Sequence, residues 1–260
     1  EATAIKVIKN MKISGLVNIQ LAYANSEIYL LEVNPRASRT IPFVSKAIGS
    51  PLAKIAAQIM SGKTLKALKI TKFKKPKFYS VKEAVLPFEK FQAVDPILGP
   101  EMRSTGEVMG IAPSFVEAFE KAEIAAGVSI PLEGSAFLSI RNTDKAYLGE
   151  LAKSLTNSGF KLVATRGTAR DLETMGFKVE IINKVLEGRP HIVDLMKNKE
   201  ISLVVNTTEG RESITDSASI RRTALDQKIC CSTTIEGARA ICKVIENQVD
   251  WRVKKLQDIH

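Results

Sequence analysis

The chain has 260 residues, 45% hydrophobic and 25% charged, with a net charge of +10. That length favours about two domains, and the composition is that of a globular protein with a packed core, not a disordered or fibrous one. No apolar run approaches the ~18 residues that a membrane span needs, and three cysteines make neither a disulfide framework nor a metal knuckle, so a reducing, cytoplasmic setting is expected.

The first residues lack the compact apolar core of a signal peptide, and no Met opens the chain, so a piece of a longer polypeptide is expected. Residues 3–13 carry helical periodicity, with Ile5, Ile8 and Met11 near one face. "LVNIQLAY" and "EIYLLEVN" follow as alternating strands around Asn25-Ser26, which is hairpin chemistry. With a three-residue loop, Gln20 faces Glu32 and Asn18 faces Asn34. All four polar side chains then share one face, and Ile19, Leu21, Tyr23, Tyr29, Leu31 and Val33 form the other. A two-residue loop would set Gln20 against Leu31 and break that segregation.

After Pro35 a loop leads to a helix over "SPLAKIAAQIMSG", and residues 63–113 read as irregular. "APSFVEAFEKAEIAAG" reads as a capped helix from Ser114 to Gly127, where a domain boundary is expected. Beyond it the pattern alternates. Strands are expected at 136–141, 160–165, 177–182, 201–207 and 229–233. Helices are expected at 144–157, 168–175, 191–199, 216–227 and 235–248. Five β units with helical crossovers make a mostly parallel sheet covered on both faces, with ligands at the carboxyl ends of the strands.

The charge is uneven. Residues 1–127 hold 18 Lys/Arg against 11 Asp/Glu, and the remainder 20 against 17. Much of the surplus lies in "GKTLKALKITKFKKPKF" (62–78). Only Phe73, Phe78 and Tyr79 accompany it and no nucleic-acid motif does, so a solvated face is expected and no nucleic-acid partner.

Two places have the chemistry of a site. Gln20, Glu32 and Asn34 offer oxygen ligands suited to Mg²⁺, with Arg36 and Arg39 just beyond to hold phosphate or carboxylate oxygens. From residues alone, a solvated strand face with surface arginines explains them equally well. In "LVATRGTARD", Thr165, Gly167 and Thr168 form a strand–turn–helix start that can close around an anion. A glycine turn there is common. Lys145 and Lys184, in or near connecting loops, and Asn206 with Thr207 and Thr208 at the next strand end favour anion binding.

"EVNPRASRT", the glutamine twelve residues before its Glu, "PFVSKAIGSPLAKIAA", "YSVKEAVLPFEKF" and "GPEMRSTGEVMG" closely resemble the ATP-grasp module of carbamoyl-phosphate synthetase large chains. Glutamine at position 20 fits the second, carbamate-phosphorylating half. The resemblance implies that Gln20, Glu32 and Asn34 hold Mg²⁺ or Mn²⁺ on ATP, and that Arg36 and Arg39 meet the phosphoryl group and carbamate. It also implies an effector amino-acid contact at Glu83. Partners would be the rest of the large subunit and a small glutamine amidotransferase subunit, with a homo-oligomer compatible. The lobe that covers ATP in this family has no counterpart in these 260 residues, so no ATP hydrolysis is expected from them.

"ATRGTA", "NKVLEGRPHIVD" and "VVNTTEGR" resemble the methylglyoxal-synthase-like domain of the same synthetases, where it is regulatory. The resemblance implies a nucleotide effector of the UMP or IMP type. Its contacts would be Ser139, Lys145, Thr165, Arg166, Gly167, Thr168, Lys184, Asn206, Thr207 and Thr208. Thr233 falls at an amino-acid effector contact, although Cys231 and Ser232 depart from the tyrosine and aspartate often beside it. Methylglyoxal synthases need a carboxylate base in a Gly-Asp that aligns near Gly188, where this chain has Arg189 and Pro190, so binding without chemistry is expected. His191, opening a helix, reads as a cap-region or packing residue. The expected fold is α/β: an incomplete ATP-grasp α+β portion (1–127), then a five-stranded, mostly parallel, methylglyoxal-synthase-like αβα domain (128–260).

Overall fold

The computed structural model describes residues 1–72, 75–85, 95–97, 106–248 and 253–260. Phe73 and much of the two later ATP-grasp-like strings, at 86–94 and 98–105, lie outside the described residues. The chain divides into two compact units, Glu1–Phe78 with Arg252–His260, and Tyr79–Trp251.

The first unit holds α1 (Ala2–Met11), the antiparallel hairpin β1 (Asn18–Ala24) and β2 (Glu27–Asn34), α2 (Thr40–Ile48) and α3 (Leu52–Met60). The hairpin corrects the loop expected from sequence while keeping the pairing that the loop was meant to explain. The loop has two residues, Asn25 and Ser26, both with positive φ (50° and 63°), as a type I′ turn requires. Ala24 therefore pairs with Glu27 and Leu21 with Leu30. A register shift between Gln20 and Leu21 then makes Leu31 the extra residue of a β-bulge, and Gln20 pairs with Glu32 and Asn18 with Asn34 after all. The apolar face is consequently Ile19, Leu21, Tyr23, Ile28, Leu30 and Val33. Tyr29 moves to the polar side, where its hydroxyl donates to Glu27 at 3.1 Å.

A second difference is α2, where a loop was expected. Pro42 lies in its first turn, where the missing N–H has no helical partner to lose. Only Ala47 and Ala56 are buried among the described residues of this unit, and Leu21, Tyr23, Ile28 and Leu30 are each more than 40% exposed.

The second unit opens with another antiparallel pair, β3 (Tyr79–Val85) and β4 (Gly106–Ala112), in the region read as irregular. The helix α4 (Phe115–Ala125) lies across it. Ser114 accepts the Glu117 N–H at 3.2 Å, one half of the expected capping box, while the Glu117 carboxylate pairs with Lys121 at 2.7 Å. Gly110 makes the close approach between α4 and the hairpin. A Cβ there would sit 1.8 Å from the Ala118 carbonyl oxygen.

The five expected parallel strands follow as β5 (Ser135–Ser139), β6 (Lys161–Ala164), β7 (Val179–Ile181), β8 (Leu203–Asn206) and β9 (Cys230–Ser232), in the order β7-β6-β5-β8-β9. Their connections carry α5 (Leu148–Asn157), α6 (Arg166–Thr174), α7 (Ile192–Lys197), α8 (Gly210–Asp216) and α9 (Ala218–Asp226), and α10 (Ile235–Glu246) comes after β9. Alternation sorts the core. Ala136, Leu138, Leu162, Ala164, Leu203 and Val205 face α5, α6 and α10. Phe137, Val163 and Val204 face α7 and α9. The result is a three-layer αβα unit, built as a parallel sheet requires, with both faces covered. Phe119 of α4, with Val128 and Ile130, packs against the first of these cores. That packing joins α4 to the sheet within the compact unit Tyr79–Trp251.

The Gly110 contact has a measurable consequence. Gly110→Ala is expected to lower stability in urea denaturation by about 1–3 kcal/mol or more, as overpacking does. A variant as stable as the parent would mean that α4 does not press on β4 as described.

Candidate functional sites

In the first unit, Gln20 and Glu32 are cross-strand partners, and Asn34 lies two residues on, on the same face. The Asn34 amide donates to Glu32 Oε1, which orients both groups. The three residues thus share one face of the hairpin. One carboxylate with two amide oxygens fits Mg²⁺, which keeps waters and takes its remaining ligands from phosphate. Arg36, held to its own loop by a 3.1 Å bond to the Ala37 carbonyl, and Arg39, at the N-cap of α2, follow on the exposed surface.

In the second unit the geometry is tighter. β5 ends level with β8, and the peptide groups at and just beyond its end need partners. Thr207 N–H donates to the Ser139 carbonyl at 3.0 Å. Ile140 N–H donates to Thr168 Oγ1 at 3.2 Å, and Arg141 N–H to Thr207 Oγ1 at 3.0 Å. Both threonines are at most 5% exposed. Each hydroxyl oxygen accepts a backbone N–H, and its own proton is left to donate. Beside them Asn206 is 1% exposed, and neither polar atom of its amide has a partner among the described residues. A buried amide in that state calls for a ligand or a bound water.

Thr165 is the N-cap of α6, and Gly167 in its first turn has open space where a side chain would begin. The N–H groups there are positioned for an anion, and the helix dipole favours one. A cleft of about 610 Å³ opens beside them. It is lined by Ser139, Thr165 and Lys184, by Val185, Leu186 and Glu187 after β7, and by Glu209, Gly210, Ser213, Asp216, Ser217 and Ile220 around α8 and α9. The last nine were missed in sequence reasoning. The available signal, for those nearest the ends of β7 and β8 such as Val185, Glu209 and Gly210, was that this class of sheet places its ligands there.

Other expected contacts are engaged elsewhere. Lys145 pairs with Asp171 of α6 at 2.8 Å, and Arg166 donates to Asn183 at 3.3 Å. Thr208 follows Thr207, half-buried. His191 caps α7 as expected, its N–H donating to Asp194 at 3.1 Å. Among the carboxylates of the cleft, Glu187 is committed, since its Oε2 accepts the Lys184 N–H at 2.9 Å.

Glu83 lies on β3, in register with Val108, and Thr233 in the turn between β9 and α10. Burial raises the pKa of Glu83, partly offset by the Ala84 N–H. Burial, with the Glu83 carboxylate adding to it, pushes Glu123 of α4 up to about 7. The thiols are inert, since burial pushes Cys231 up to about 12 and Cys242 to about 11.

Residues 1–68 match the family described as "Carbamoyl-phosphate synthase L chain, ATP binding domain", and residues 147–233 match the "MGS-like domain". The chain is 56% identical over 255 residues to a carbamoyl phosphate synthase large chain of Pseudomonas syringae, and 54% identical over 255 to one of Pseudomonas aeruginosa. A third, of Pasteurella multocida, is 55% identical over 249 residues. The chain is a relative of carbamoyl phosphate synthase large chains. The two Pseudomonas alignments cover 98% of it but only 24% of each relative, and the third covers 95% and 23%.

The Glu83–Glu123 pair predicts a pH dependence. Between about pH 4.5 and 7 the folded protein keeps a proton on Glu123 that the unfolded chain has released, so stability falls as pH rises through that window. Glu123→Gln is expected to make this slope shallower and to raise the urea midpoint above pH 7. Equal slopes in parent and variant would contradict it.

Proposed function

We propose that this chain is the carboxy-terminal quarter of the large subunit of a carbamoyl phosphate synthase, working in the cytoplasm. That enzyme makes carbamoyl phosphate from bicarbonate, glutamine-derived ammonia and ATP, for pyrimidine and arginine synthesis. Residues 1–127 would then be the end of the second ATP-grasp module and 128–260 a regulatory domain. Partners are the rest of the large subunit and the small glutamine amidotransferase subunit. Gln20, Glu32 and Asn34 would hold Mg²⁺ or Mn²⁺ on ATP, which supplies charge neutralisation at the transferred phosphoryl group. Arg36 and Arg39 would hold the phosphoryl oxygens and carbamate. The apolar hairpin face, more than 40% exposed at Leu21, Tyr23, Ile28 and Leu30, supports a surface that works only when covered by more protein.

The observation that carries the regulatory reading is the mixed polarity of the cleft. Its lining combines Thr165 and Lys184 with the carboxylates Glu187, Glu209 and Asp216 and with the apolar Val185 and Ile220. Carboxylates would repel a bare phosphate. A nucleoside monophosphate would use both kinds of group, with its phosphate toward Thr165 and Lys184, its hydroxyl and base N–H donors toward the acids, and its ring against Ile220 and Val185. Asn206, Thr168 and Thr207 add donors that the protein leaves unused. Lys145 would join by exchanging Asp171 for phosphate. Glu83 and Thr233 would serve a separate amino-acid effector.

Calorimetric titration of the 260-residue chain with UMP and IMP tests this. One of them should bind, and Lys184→Ala should weaken it by about ten- to a hundredfold, the value of a hydrogen bond to a charged group, ~1.5–3 kcal/mol. No heat with either nucleotide would overturn the effector reading.

The three carboxylates near the cleft keep a second reading in view, an autonomous lyase acting on dihydroxyacetone phosphate. Incubation with that compound is expected to release no phosphate above background. The same chain is expected to show no metal-dependent ATP hydrolysis that Glu32→Gln abolishes. Turnover in either assay would reassign the activity.

A further inference from the structure

Arg221 on α9 is 1% exposed, one of the largest side chains to be so fully buried among the described residues. A guanidinium removed from water is tolerable only with acceptors fixed around it. Its Nε donates to Asp95 Oδ1 at 2.8 Å, and its Nη2 donates to Asp95 Oδ2 and, at 2.6 Å, to the Ile214 carbonyl of α8. The bond to Ile214 is the one that bears on the cleft. A helix leaves its last carbonyls without partners of its own, and a cationic side chain there both satisfies them and suits the dipole. In α8 the Ser213 carbonyl accepts the Ser217 N–H at 3.2 Å, and the Ile214 carbonyl takes the guanidinium.

Ser217 alone separates α8 from α9. One residue contributes two soft dihedrals, enough to change the tilt of one helix on the next. Arg221 spans that junction, from the first turn of α9 to the last turn of α8. Asp216 ends α8 and lines the cleft, as do Ser213, Ser217 and Ile220. The direction of the Asp216 carboxylate therefore follows the tilt that Arg221 holds. We propose that Arg221 is a positioning residue for the cleft, setting α8 on α9 so that Asp216 meets a ribose hydroxyl or a base N–H. This role rests on the nucleotide reading of the cleft and needs no contact between Arg221 and the ligand.

A double-mutant cycle on the 260-residue chain, read by calorimetry with whichever of UMP and IMP binds the parent, tests the role. Asp216→Asn should weaken binding by about tenfold, the scale of a hydrogen bond to a charged group. Arg221→Lys keeps the buried charge but lacks the planar fork that serves two acceptors at once, and should weaken binding by a similar factor. The double variant should bind no worse than the weaker single one, because a misplaced Asp216 has already lost its bond. Losses that multiply would make Arg221 a packing residue alone and overturn the positioning role. Parent-like affinity in either single variant would do the same. If urea denaturation shows that Arg221→Lys does not fold, Arg221→Met, apolar and of similar volume, replaces it in the cycle. Absence of binding heat in the parent overturns the nucleotide reading and the positioning role with it.

Discussion

The end of β5 is the constraint on which the rest of the second unit depends. This strand is the centre of the sheet, paired with β6 on one side and β8 on the other, with Ala136, Phe137 and Leu138 wholly buried. Just beyond its end, the Ile140 and Arg141 N–H groups would lack partners, and leaving a buried group unpaired costs more than most single contacts contribute. Thr168 and Thr207 remove that cost. In doing so they fix the start of α6 and the end of β8 at the same edge. The hydroxyl groups at that edge are therefore positioned by the need to satisfy a backbone.

The cleft beside that edge mixes polarity, since Thr165 and Lys184 line it together with Glu187, Glu209 and Asp216. Lys145 is held by Asp171 of α6, a pair that is one-third exposed on either side. Arg221 is the opposite case, a charge so deeply placed that its acceptors must be brought to it. An interior ion pair of this kind is weak evidence for stability and better evidence for fixing one arrangement among several.

The first unit obeys different rules. Its hairpin brings Gln20, Glu32 and Asn34 together through a bulge, yet almost nothing in it is buried. Its polar face is ordered by local hydrogen bonds and turn chemistry, which need no core. Its apolar face is ordered by nothing described in the chain itself. Short-range and long-range determinants are thus unusually well separated between the two units.

That separation also explains what could be read in advance. The five parallel strands were legible because each is a short apolar run bounded by turn residues, and the αβα layering follows from their alternation with helices. The polar face of the hairpin was legible from side-chain segregation, and the motif strings carried the relationship to the synthetases. The bulge at Leu31 was not, because a two-residue turn and the segregated pairing are each locally sound, and only their combination demands an extra residue. α2 was obscured by a proline that is harmless in a first turn. β3 and β4 were hidden by the basic composition before them and by partners far apart in sequence. By itself, then, the sequence determined the elements, the sheet and the residues at its edge. Tertiary structure alone decided which hydroxyls keep a free donor, which acids line the cleft, and that Asp95 reaches Arg221. Those outcomes depend on groups distant along the chain meeting where water is excluded, and no local pattern records that.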